Sequence, residues 1–397
     1  MSIDTQRLKA TLLDLLAIPS PCGFTDEIAR YVCRSLDEIG VSYDLTRRGT
    51  IRAILPGRDD APARALVTHM DTIGAMVRGI GDNGRLQMAP IGHWSSRFAE
   101  GTRVTLFAES GVFRGAILPI VEWGVSRDHG VEAVAADWEN VELRLEEAVF
   151  NADDVRALGI EVGDFIALDS YPEILDNGYV IGRNLDNKAG TAAVIELLRY
   201  LKHTELPQNT YVIFTVTETI GAGIGGAVLP EVSELVTVDF ASIQSTLKSP
   251  FKRVTLASGD ASGPYDFHLT AHIRAIAERS GVPYQQRHLK AYHSDAAAAL
   301  IAGHDVRTAV LAYAGDASHS IERTHIDSLL NLVRLLENYL TSEPTFIGDD
   351  PLTTVDEFSH QIDSARLPHT KKAPDTADVI GATFGRGERE GNKDDNA

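Results

Sequence analysis

The chain has 397 residues, with 37 Lys and Arg against 56 Asp and Glu, a formal charge of −19. Hydrophobic residues make up 44% and charged residues 23%, which excludes a collagen-like or wholly disordered chain and allows a large core in two or three domains. The negative excess argues against broad binding of nucleic acid or anionic membrane, and two cysteines, Cys22 and Cys33, make no disulfide framework or C-x-x-C site.

Met1 to Leu16 carries Asp4, Arg7, Lys9 and Asp14 and has no apolar run of a secretory signal. No stretch is apolar for the length a bilayer demands. With so few cysteines, the expectation is a cytoplasmic protein in a reducing compartment. Leu8, Leu12, Leu15 and Leu16 mark an amphipathic helix ended by Pro19 and Pro21. Ile28, Val32, Leu36 and Ile39 mark a second. Two strands are expected at Thr50–Leu55 and Arg64–Thr68, with a turn over Pro56–Pro62. The second is short and continuously apolar, as in a buried parallel strand.

From Gly74 to Gly182 the pattern changes to short β-rich runs punctuated by turns such as Asp82-Asn83-Gly84 and Asp176-Asn177-Gly178. This spacing predicts a small barrel or sandwich, with a polar surface loop over Glu122–Asp137. Strand–helix alternation resumes at Leu185: LDNKAGTAAVIELLRYLK, TYVIFTVTE, ELVTVD, FHLTAHIRAIAERSG, SDAAAALIAG, VRTAVLAYA and IDSLLNLVRLLENYL. The expected architecture is a doubly wound α/β domain of residues 1–73 and 183–343. A β domain, 74–182, is inserted in it. Residues 344–397 form a disordered tail, since no aliphatic or aromatic residue occurs from Gly385 to Asn396.

Candidate chemistry gathers at the expected carboxyl ends of strands, where open α/β sheets place their sites. His69-Met70-Asp71 ends one strand, Glu218 follows another, and Asp239 ends a third. Asp186 stands where a helix begins, so its ordinary alternative is an N-cap. His319, in Asp316-Ala317-Ser318-His319, follows the last strand. Each alone has an ordinary structural explanation; together they offer mixed His and carboxylate ligands suited to Zn²⁺ or a related divalent ion. One or two such ions would polarise a carbonyl and activate water. The other histidines, including His93, His268, His272, His288, His293, His304 and His325, read as packing, surface or substrate-side residues.

The ordered series THMDTIGAMV, PIGHWSSRFAEGTRV, GRNLDNKAG, TVTETIGAGIGGA, VTVD and ASHSIERTH resembles the M42 family of metallo-aminopeptidases, over residues 5 to 340. SGPYDFHLT, YHSDAAAA, DVRTAV and DASHSIERTH are most similar to the M42-like hydrolases linked to the osmoprotectant N-acetylglutaminylglutamine amide. The resemblance implies a zinc-exopeptidase-like α/β fold with an inserted barrel-like dimerisation domain, and a homo-oligomer, dimer-based and up to a dodecamer. The implied substrate is a short peptide. By position, His69, Asp186 and Asp239 match the first metal site, with Asp186 bridging, and His319 matches a ligand of the second. Asp71 matches the aspartate beside the metal histidine. Glu218 matches the catalytic glutamate, which takes a proton from the attacking water and delivers it to the leaving amine. The sequence departs at one place: the family pattern has two adjacent acids where this chain has Glu218-Thr219. A neutral hydroxyl is a poor zinc ligand, which puts the second metal in doubt and leaves a one-metal hydrolase.

Two rival readings follow from the residues. Gly221-Ala222-Gly223-Ile224-Gly225-Gly226 fits G-x-G-x-x-G and precedes Asp239, as in an NAD-dependent oxidoreductase. Against it, Glu218 would face the pyrophosphate, and His69, Asp186 and His319 would be idle. The other rival, motivated by Thr219, is a degenerate peptidase fold that serves as a binding or assembly protein.

Overall fold

The computed structural model describes residues 3–121, 134–243, 250–346 and 349; most of the loop expected at 122–137 and of the tail expected at 344–397 lies outside them. Helix α1 (Thr5–Ala17) starts where Asp4 accepts hydrogen bonds from the Gln6 and Arg7 amides, the usual N-cap arrangement. Helix α2 (Asp26–Ile39) ends at Gly40, whose φ of 74° is the left-handed cap. Strands β1 (Ser42–Leu45), β2 (Ile51–Leu55) and β3 (Gly57–His69) follow. The turn expected over Pro56–Pro62 is instead the outer half of β3. Gly57 lies so close to strand Leu206–Thr215 that a Cβ would meet the Gln208 carbonyl carbon at 2.1 Å.

The next strands are β4 (Gly74–Ile80), β5 (Leu86–Ile91), β6 (Arg103–Ala108), β7 (Gly111–Pro119), β8 (Val141–Leu145) and β9 (Phe165–Leu168), with helix α3 (Ala152–Ala157) between the last two. They close as a barrel in the order β4-β5-β8-β7-β6-β9, every pairing antiparallel. Alternate residues such as Ala75, Val77, Leu106, Leu143 and Ile166 fill its interior.

The chain then forms β10 (Glu173–Ile174), β11 (Tyr179–Gly182), α4 (Leu185–Leu201), β12 (Leu206–Thr215) and β13 (Val232–Ser242). It continues through β14 (Val254–Asp260), β15 (Gly263–Pro264), α5 (Phe267–Ser280), β16 (Tyr284–His288) and α6 (Asp295–Ile301). Strands β17 (Arg307–Asp316) and β18 (Glu322–His325) and helix α7 (Ile326–Leu340) complete it. The 12-stranded sheet runs β1-β2-β12-β3-β13-β17-β18-β11-β10, with β14, β15 and β16 branching from β17. Its centre, β12-β3-β13-β17, is parallel. Tyr179–Gly182, expected within the insertion, pairs with β18 of this sheet.

Central strands are covered on both faces, so their residues are apolar throughout. Leu66, Val236, Val238 and Leu311 pack into one core with α1, α2, α4, α5 and α7. Ala65, Val67, Leu235 and Val310 point the other way, toward Ala296 and Ala299 of α6. This is a doubly wound α/β sheet, as expected. The body continues past Glu343: Thr345 and Phe346 are buried, and the Thr345 amide donates to Glu234.

Candidate metal centre and active site

Parallel register brings the candidate residues together. Thr215 of β12 pairs with His69 of β3, and Val67 pairs with Thr237 of β13. His69 and Asp239, each two residues further, therefore emerge side by side on the α6 face at the carboxyl ends of their strands. Strand β13 runs on to Ser242, so Asp239 lies inside it. Glu218 comes from the turn after β12. Asp186 and Asn187 depart from helical φ/ψ at the start of α4, which frees the Asp186 carboxylate from the N-cap role and turns it to the same point.

The His69 Nε2 atom lies 3.3 Å from Asp186 Oδ1, 3.6 Å from Glu218 Oε2 and 3.7 Å from Asp239 Oδ1. On the far side of Asp186, its Oδ2 lies 3.7 Å from His319 Nε2. The two oxygens of one carboxylate thus face two different imidazoles. The other ring nitrogen of His69, Nδ1, is 2.9 Å from the Asp71 carbonyl oxygen; an Nδ1–H donating there leaves Nε2 free as a ligand.

The Asp71 carboxylate lies on the Nδ1 side of His69, with its Oδ1 3.7 Å from that nitrogen. Its Oδ1 accepts from the Glu218 amide at 3.2 Å, and its Oδ2 accepts from the Thr219 amide at 3.1 Å and the Thr219 hydroxyl at 2.6 Å. Asp71 therefore fixes the backbone that carries Glu218. Thr219, at the position of the doubtful second acid, spends its hydroxyl on Asp71.

Three further residues complete the site, and sequence reasoning gave none of them a role. Glu322 is buried and accepts from the Asp186 amide at 3.0 Å and the His319 amide at 2.9 Å. It holds His319 at φ 65°, a region a non-glycine residue occupies only with support. Asp295, at the start of α6, is fully buried and accepts from the Thr215 hydroxyl at 2.9 Å. Tyr292 lines the same cavity. SHSIE and YHSD contain these residues, but a Glu three positions after a His or an Asp opening an alanine-rich helix is ordinary; only the fold aims them here.

The electrostatics are those of an excess of buried anions. Burial favours neutral His69, but Glu218, Asp186 and Asp239 outweigh it and raise its pKa well above the histidine range. Burial lifts Glu218 well above the carboxylate range, with Asp239, Asp295 and Asp71 adding to the rise against the pull of His69. Burial raises Asp239 too, whereas His69 holds Asp186 below its usual value despite burial. Burial and Asp186 push Glu322 up to about 8, and burial pushes Asp295 up to about 7.

One imidazole cannot balance this many carboxylates, but a divalent cation can. Ligand atoms of His69, Glu218 and Asp239 all lie within 4.8 Å of one another, and nitrogen with carboxylate oxygen is a zinc-type donor set. The residues present fit a metal. The cavity beside them measures about 1070 Å³ and is also lined by His93 from the barrel side and by Arg183, Arg287 and Lys290. Of the other histidines, His288 and His293 line it as well, while His272 bonds Ser342 and His325 caps α7.

The dinucleotide reading does not survive the geometry. The glycine-rich segment is a series of turns leading into β13 with no helix opening from it, so it offers no helix N-terminus to a pyrophosphate. Asp239 faces His69 instead of a ribose site.

Comparison with known proteins shows the family. The model of the family described as M42 glutamyl aminopeptidase matches residues 49–335. A putative aminopeptidase YhfE of Bacillus subtilis is 36% identical over 83% of this chain and 96% of its own length. A glutamyl aminopeptidase of Lactococcus lactis is 27% identical over 52% of this chain and 58% of its own. Among solved structures, a TET aminopeptidase from a marine sediment thaumarchaeon superposes with a TM-score of 0.76 at 18% identity, covering 85% of this chain and 96% of that one. The Pyrococcus horikoshii TET1 peptidase, which assembles into a tetrahedron or an octahedral shell, gives 0.74 at 22% identity over 85% and 100%. With the barrel inserted in a doubly wound sheet and a His–carboxylate cluster on its rim, the chain belongs to the M42 family of metal-dependent aminopeptidases.

Proposed function

We propose that the protein removes N-terminal residues from short peptides at the cluster around His69. The observation that carries this reading is the convergence of three carboxylates, Asp186, Glu218 and Asp239, within 3.3–3.7 Å of one imidazole nitrogen beside a large cavity. His69, Asp186 and Asp239 would hold a first divalent ion, zinc by the donor set; Asp186 and His319 alone would offer a weaker second position, because Thr219 is bound to Asp71. Bound there, the cation supplies Lewis-acid polarisation of the peptide carbonyl and makes water acidic enough to lose a proton. Glu218, which has no Lys or Arg ion pair among the described residues, takes that proton and passes it to the departing amine. Asp71 keeps Glu218 in place through two backbone bonds.

Arg183, Arg287 and Lys290 form no ion pair among the described residues, although the chain is strongly acidic overall. They favour a substrate with a carboxylate near the scissile bond, in keeping with the glutamyl aminopeptidase among the relatives. Barrel residues Val112, Phe150 and Val162 are exposed, and we assign the barrel to subunit contacts in a dimer-based homo-oligomer. The cytoplasm is the compartment that suits the free Cys22 and Cys33.

Elemental analysis together with a peptide panel tests the reading. One tightly held ion per chain is expected after dialysis, with a second recovered only in excess metal. Peptides with a free N-terminus and an acidic first residue should be cleaved faster than neutral ones. Acetyl-capped dipeptide amides, the class suggested by the osmoprotectant-linked subfamily, belong in the same panel. Full metal content with no hydrolysis of any member would refute the enzyme and favour the binding-protein alternative.

A further inference from the structure

Tyr292 lies between β16 and α6, and its ring packs against the apolar cluster on the α6 face of the sheet. Its carbonyl oxygen accepts from the Ala261 amide at 3.0 Å, so backbone and ring are both anchored. The hydroxyl is buried and makes no well-aligned hydrogen bond among the described residues, with the Asp239 carboxylate only loosely within its reach. A buried, poorly matched hydroxyl is costly, and in a native site it calls for an explanation. Asp239 is the strongest charged influence on it, followed by Asp186 and Glu218. These are the carboxylates around His69, and Tyr292 shares their cavity.

We propose that the Tyr292 hydroxyl is a catalytic hydrogen-bond donor that receives the carbonyl oxygen of the scissile amide as it becomes an oxyanion. The proposal rests on the peptidase reading above. A phenol is an O–H donor at neutral pH. Such a donor, anchored before the reaction and without a well-aligned ground-state bond, gives up little when negative charge develops next to it. His319, Ser318 and Glu322 also line the cavity, but the Ser318 hydroxyl is directed to Asp186 at 3.5 Å and Glu322 is an acceptor.

Tyr292→Phe removes one oxygen and keeps the ring. The expected result is a fall in kcat of about 100-fold, with KM little changed and metal content at the wild-type level. Affinity for a phosphonate dipeptide analogue, which carries the tetrahedral oxyanion, should fall by a similar factor, while affinity for the product amino acid holds. The thermal midpoint should change little, since the lost hydroxyl makes no well-aligned bond; a merely structural tyrosine would lower it. Unchanged kcat in metal-loaded variant would overturn the proposal. So would loss of metal in step with kcat, which would make Tyr292 a support for Asp239. A metal-loaded wild-type protein that cleaves no peptide would overturn the peptidase reading itself, a result distinct from either.

Discussion

In the barrel, Arg103 pairs with Glu146 and Arg114 with Asp169, each arginine side chain more than two-fifths exposed, while the interior from Ala75 to Ile166 is apolar. On the rim of the large sheet, Asp71, Asp239, Asp295 and Glu322 are all buried, yet no lysine or arginine forms an ion pair with them among the described residues. A barrel with its charge in solvent is stable as it stands and gains little from each pair. The rim is different: its carboxylates share the imidazoles His69 and His319 and a few amide and hydroxyl donors. Such a cluster sacrifices stability for affinity toward a cation. The contrast separates a region whose charges serve solubility from one whose charges serve chemistry.

The strongest way to break that contrast is Glu218→Gln. If the rim's charge is functional, peptide turnover should fall by roughly 1,000-fold or more, with metal retained and the thermal midpoint unchanged or raised because a buried charge has been removed. Steady-state kinetics beside a melting curve reads both. Turnover within a few-fold of wild type would remove Glu218 from the proton-transfer role.

A smaller effect is expected at Asp295. Its carboxyl titrates near 7 in the folded protein against about 4 in an unfolded chain, so the folded state binds the proton more tightly. The associated stabilisation is complete below about pH 4 and is lost as pH rises through about 7. Asp295→Asn should flatten the decline in stability across that interval, measured as denaturant midpoints at several pH values. An unaltered slope would show that the group titrates normally.

The smallest effect belongs to the barrel. Arg103→Ala breaks an exposed pair and should change unfolding free energy by less than about 1 kcal/mol, with no change in metal content or turnover. A larger loss would mean that the barrel's ion pairs are structural, and the contrast with the rim would weaken.

The sequence by itself determined the α/β class and the inserted barrel, and it singled out His69, Asp71, Asp186, Glu218, Asp239 and His319 as candidates, because apolar runs followed by His or acid are a local pattern and the ordered motifs resemble the family. It also carried the Glu218-Thr219 departure. It misread Pro56–Pro62 as a turn, since proline and aspartate there signal a break that pairing with β12 overrides. Tyr179–Gly182 read as part of the insertion because strand pairing is nonlocal. Only the tertiary structure decided that Thr219 serves Asp71, that Glu322 and Asp295 back the cluster, and that Tyr292 keeps a poorly matched hydroxyl there. Those facts depend on contacts between residues 80, 136 and 148 positions apart, which parallel register and strand order set and no local motif encodes.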